Sequence, residues 1–129
     1  KIKPGNTFGD IGNAIQVFAE KKNYSVVRDF CGHGLGKVFH DHPSVLHFGK
    51  PGEGELLQEG MFFTVEPMIN IGDYKVKVLS DGWTAVTSDK SLSAQFEHTV
   101  GVTKTGYEIF TLSKKNFTFP PYKKNDSKI

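Results

Sequence analysis

The chain changes its hydrophobic period once, and that change limits the folds open to it. Across residues 8–22, Phe8, Ile11, Ile15 and Phe18, with Ala14 and Ala19 alongside, recur at the spacing of one helix face. Pro4-Gly5 reads as a turn before this stretch, and Thr7, three residues ahead of Asp10, as a capping box. Lys21 and Lys22 fall in the last turn, where the helix dipole favours cations, and Asn23 is a natural stop. Thereafter the signal is one of short β-prone runs at 24–30, 61–71, 83–87, 94–103 and 107–112. Glu66-Pro67 interrupts the second run, so its sheet pairing bends or ends there. Lys104-Thr105-Gly106 joins the last two as a hairpin turn, and the glycines at 32, 34 and 36 predict a tightly bent backbone. A Gly- and Glu-rich loop occupies 49–60, and 117–129, with Pro120-Pro121, reads as an extended or loose tail. One helix with several antiparallel strands makes an α+β fold.

Composition narrows the function classes. With 129 residues, 37% hydrophobic and 23% charged, the chain fits one ordinary globular domain. No apolar run approaches the roughly 20 residues that span a bilayer, and the start has no secretory pattern. The lone Cys31 excludes an internal disulfide and suits a reducing compartment. Sixteen basic against 14 acidic residues are too nearly balanced to suggest nucleic acid. The excess gathers at Lys114, Lys115, Lys123, Lys124 and Lys128, a pattern better read as a solvated tail than as a docking patch. Lys1 comes first and the methionines are Met61 and Met68, so a fragment, a cleavage product or a trimmed chain is expected.

A few polar residues stand where apolar ones are expected. Glu66 lies inside Phe62-Phe63-Thr64-Val65-Glu66-Pro67-Met68-Ile69, where an unpaired carboxylate would be costly to bury. Glu97 repeats the pattern within 94–100, and strand alternation would put it on one face with Gln95 and Thr99. Pattern alone favours a buried ion pair or an outward charge over a metal ligand for each. His33 projects from between two glycines, a setting that suits close approach of a ligand but is more often structural. His40 and His42 would share a face if extended, although Asp41 and Pro43 allow a turn. His47 has no distinguishing context and reads as a surface or supporting residue. One imidazole and two carboxylates from separate segments form a mixed N/O set that suits Mn, Fe, Co or Zn. Zinc-finger spacings, a His-Glu-x-x-His helix, a P-loop and a dinucleotide glycine fingerprint are all missing. A Cys31 nucleophile is the weaker alternative. The residues by themselves point to a metal-dependent site.

The same residues resemble the type I methionine aminopeptidases. The likeness lies in Cys31-Gly32-His33-Gly34-Leu35-Gly36 with Phe39-His40 and Pro43, in 60–70 around Glu66-Pro67, in Asp81-Gly82-Trp83-Thr84, and in Ser91-Leu92-Ser93-Ala94-Gln95-Phe96-Glu97-His98-Thr99. It runs from about Lys3 to Leu112 in unbroken order. Met68-Ile69-Asn70 and Glu97-His98-Thr99 fit this class better than the proline-specific aminopeptidases, and the uninterrupted stretch from His40 to Glu66 fits type I better than type II. Some relatives of this fold are binding modules that have lost their ligands, whereas His33, Glu66 and Glu97 are in place here.

The resemblance implies the C-terminal half of a pita-bread fold at 1–113, an antiparallel sheet with one or two helices, followed by a lysine-rich tail at 114–129. It implies removal of N-terminal methionine by water activated on two divalent ions (Co, Mn, Fe or Zn) in the complete enzyme. His33 and Glu66 would be terminal ligands, Glu97 a bridging one, and Glu66 also the base. His40 would hydrogen-bond the substrate, Phe39 and Trp83 would line the methionine pocket, and Cys31 would sit behind His33. The expected partners are nascent polypeptide N-termini in the cytoplasm and the missing N-terminal half, with ribosome association but no membrane and no specific nucleic acid. Two aspartate ligands of the family lie in that other half. This chain alone is therefore expected to hold at most one ion, weakly, and to associate through exposed sheet edges.

Overall fold

Helix α1, Phe8–Glu20, starts where the capping box predicts. The Thr7 amide donates to Asp10 Oδ2 at 2.8 Å, and the Asp10 amide donates back to Thr7 Oγ1 at 3.3 Å. It ends two residues earlier than the expected Lys22. Lys21 is the C-cap and Asn23 takes a left-handed φ of 60°, so no basic residue lies in the last turn. In this computed structural model residues 1–113 are described; the expected tail at 114–129 lies outside them. The observed architecture is α+β.

Ten short strands follow: β1 (Ser25–Val26), β2 (Gly32–Gly34), β3 (Asp41–Val45), β4 (Phe62–Val65), β5 (Met68–Asn70), β6 (Val76–Val78), β7 (Ala85–Thr87), β8 (Ser93–Gln95), β9 (His98–Val102) and β10 (Tyr107–Ile109). All their pairings are antiparallel, in a five-stranded sheet β10-β9-β4-β2-β3, a three-stranded sheet β1-β5-β8 and the hairpin β6-β7. Phe8 and Ile11 of α1 pack with Val45, Leu57, Phe63, Val100 and Val102, the Phe8 and Phe63 rings meeting edge-on at 5.0 Å.

Two of the expected strands each divide between the sheets. β4 pairs with β9 up to Val65 opposite His98; pairing resumes with Met68 opposite Gln95, now in the other sheet. Glu66-Pro67 and Phe96-Glu97 thus face each other as the two sides of one corner. Pro67 explains the bend, having no N–H to continue the ladder. The single face predicted for Gln95, Glu97 and Thr99 does not exist, because alternation is broken at this corner.

The glycine stretch at 32–36 also departs from expectation. Its first half is no bend but strand β2, inside the larger sheet with a register shift between His33 and Gly34. The glycines are needed for close approach: a Cβ at Gly32 would strike the Thr64 carbonyl, and one at Gly34 the His42 carbonyl. The run 24–30 shrinks to β1, continued only by the Val27 amide donating to the Met68 carbonyl at 3.0 Å.

Candidate metal centre

His33 and Glu66 arrive from neighbouring strands, β2 and the end of β4. The His33 amide donates to Thr64 Oγ1 at 3.0 Å, and that hydroxyl donates to Glu66 Oε1 at 2.7 Å. His33 Nδ1 lies 3.0 Å from the Gly34 carbonyl, which can only accept, so Nδ1 carries the proton. In the neutral ring Nε2 is then a bare lone pair, 3.7 Å from Glu66 Oε1 and mostly shielded from solvent. Two electron-rich atoms facing each other at that distance favour a cation between them. Divalent metals bind such N and O donors at about 2.0–2.2 Å, so one ion can contact both. Fixing the far imidazole nitrogen on a carbonyl is also how metal-binding histidines are oriented. The donor pair fits a metal.

The other expected residues are placed unevenly. His40 packs beside His33 with ring centroids 4.4 Å apart, and Phe39 touches both rings, at 5.5 Å from His33 and 4.7 Å from His40. Phe39 is 73% exposed. Trp83, 89% exposed, stands in the turn between β6 and β7. There Asp81 Oδ1 accepts the Trp83 and Thr84 amides at 3.0 and 2.9 Å, and the Thr84 hydroxyl chiefly holds the Asp81 carboxyl below its ordinary range. Glu97 lies exposed in the link from β8 to β9. Among the described residues no group of three or more His, Cys, Asp or Glu converges to hold an ion, so Glu97 does not complete a cluster with His33 and Glu66. Cys31 is a half-buried free thiol immediately ahead of β2.

Gln95 and His47 were not singled out for the site by sequence, and both bear on Glu66. Gln95 Nε2 donates to the Glu66 carbonyl at 3.2 Å and approaches Oε2 at 3.5 Å. His47, read as a surface or supporting residue, is no surface residue: it is 2% exposed, and its Nε2 accepts the Glu66 amide at 3.0 Å. Burial pushes its pKa below the ordinary value, against an opposing pull from the Glu66 charge, which keeps the ring neutral and able to accept. Its signal was parity with Val45 in the short apolar run Val45-Leu46-His47-Phe48.

An antiparallel α+β unit that presents a histidine–glutamate pair suited to a divalent ion has the makings of one side of a metal-dependent site. Residues 1–104 match Metallopeptidase family M24, and the chain belongs to that family. Within it, the chain is 66% identical over 123 residues to a methionine aminopeptidase of Rickettsia prowazekii, covering 94% of this chain and 47% of that relative. The crystal structure of methionine aminopeptidase from that organism superposes with a TM-score of 0.84 over 86% of this chain and 45% of that one. The Thermotoga maritima methionine aminopeptidase gives 0.84 at 46% identity, over 87% and 45%. A prolidase from Pyrococcus furiosus, 23% identical with a TM-score of 0.61 over 87% and 27%, shares the fold alone. The fold is thus of the pita-bread type, and the chain spans about half the length of the curated relatives it matches. No helix among the described residues is long and apolar enough to cross a membrane.

Proposed function

We propose that this chain is the C-terminal half, at 1–113, of a methionine aminopeptidase that removes the N-terminal methionine from nascent polypeptides in the cytoplasm. The observation that carries the reading is the approach of His33 Nε2 to Glu66 Oε1 at 3.7 Å, with Thr64 and Gly34 fixing both side chains. The 66% identity to a methionine aminopeptidase supports the substrate class.

When bound, divalent ions would acidify a water and polarise the scissile carbonyl. His33 and Glu66 would hold one of them, with Glu97 reaching in from the facing side of the corner. Glu66 would also take the proton from the attacking water, its carboxylate kept in place by Thr64. His40, beside His33, would donate to the oxygen on which charge develops. Phe39 and Trp83 offer apolar surface to the unbranched methionine side chain. Ribosome association belongs to the same reading.

Because no three-residue cluster forms among the described residues, the chain alone should bind at most one ion and depend on further ligands for activity. The test is methionine release from a Met-Gly-Met peptide with added Mn(II), Fe(II) or Co(II), beside titration calorimetry with the same metals. The reading expects negligible release by the chain alone, and a single weak binding event lost in His33→Ala and Glu66→Gln. Two ions bound per chain, or binding indifferent to both substitutions, would overturn it.

A further inference from the structure

We propose that His47 is a positioning residue for Glu66, acting through the backbone amide rather than the carboxylate. The proposal rests on the reading of Glu66 as a metal ligand and adds a residue that directs it.

At the corner the Glu66 amide has no strand partner. The β4–β9 ladder ends at Val65 opposite His98, the β5–β8 ladder starts at Met68 opposite Gln95, and Pro67 has no N–H. His47 supplies the missing acceptor. Its ring reaches inward from just beyond β3, on the same side as the fully buried Val45, and Nε2 takes the amide at 3.0 Å. The chemistry suits an imidazole. A carboxylate in its place would set a second negative charge beside Glu66, whereas a neutral ring offers an in-plane lone pair and no charge. Glu66 is thereby held at independent points: its amide by His47, its carbonyl by Gln95 and its Oε1 by Thr64. Without His47 a half-buried N–H is stranded. The corner must then turn to find another acceptor, and the carboxylate leaves its place opposite His33.

Isotope-labelled NMR on the full chain tests this. A scalar coupling across the hydrogen bond, between the Glu66 amide nitrogen and His47 Nε2, is expected, and its absence overturns the proposal. In His47→Leu the Glu66 side-chain couplings should average between rotamers, and Mn(II) affinity should fall about ten- to a hundredfold. His47→Gln, which retains an acceptor, should restore a single Glu66 rotamer. Wild-type couplings and affinity in His47→Leu would overturn the proposal. Should the Leu variant not fold, the Gln variant decides, since averaged Glu66 rotamers there would show that an acceptor at this point does not position the carboxylate. Mn(II) broadening in wild type and Glu66→Gln reports separately on the metal reading. Equal broadening in the two sinks that reading, while the Glu66 rotamers still decide the role of His47.

Discussion

Single atoms set the tolerances of this site. Gly34 lies against the His42 carbonyl so closely that even a methyl group has no room. Gly34→Ala should therefore cost about 1–3 kcal/mol through overpacking, measured by urea denaturation, and should shift the NMR signals of His33, its neighbour. A different tolerance governs Asp89, next to the turn that returns the chain to β8. The Ser91 amide and hydroxyl, then the Asp73 amide, hold its carboxyl at about 2, below the ordinary 3.8. With the folded value depressed, the turn draws its full benefit above the ordinary pKa and loses it as pH falls through about 2. A carbon-detected titration of Asp89 should show that midpoint, together with late loss of the Ser91 amide shift. A midpoint at the ordinary value would contradict it.

The helix shows how far an element can be read from pattern. Helical spacing from Phe8 to Phe18 and the Thr7–Asp10 box were both legible, because each depends on residues close in sequence. Thr7→Ala should cost about 1 kcal/mol, seen as an earlier urea midpoint with the fold retained. The strands were harder. Several are only two or three residues long, too short for alternation to register, and their pairing is set by distant partners. β3 was hidden in Asp41-His42-Pro43-Ser44, whose polar residues and proline resemble a turn. Glu66-Pro67 was legible as an interruption because proline announces itself; Phe96-Glu97 was not, since only the facing proline requires the second bend. For the same reason the sequence could offer His47 only as a surface or supporting residue, since the amide it accepts lacks a strand partner only in the fold.

At the scale of the molecule, apolar side chains lie open on several sides: Phe18 is 66% exposed, and Phe39, Trp83, Leu92 and Phe96 are also open to solvent. Surface of this kind invites association. Sedimentation velocity across a concentration series should show self-association of the purified chain, and a strictly monomeric profile would count against it. Mixing with a separately produced first half of a methionine aminopeptidase should replace that self-association with a mixed complex. If the two instead sediment independently, the proposed division of the fold between two halves is wrong.

The pairing of Asn70 with Ser93 closes residues 71–92 into an excursion that leaves the three-stranded sheet and comes back to the same rung. The hairpin within it carries Trp83, while Glu66 and Glu97 stand outside its two ends. The distance between the two carboxylates is therefore indifferent to how long that excursion is. Lineages, or protein engineers, can lengthen, shorten or reshape the hairpin carrying Trp83 while leaving the corner that carries the two acids untouched.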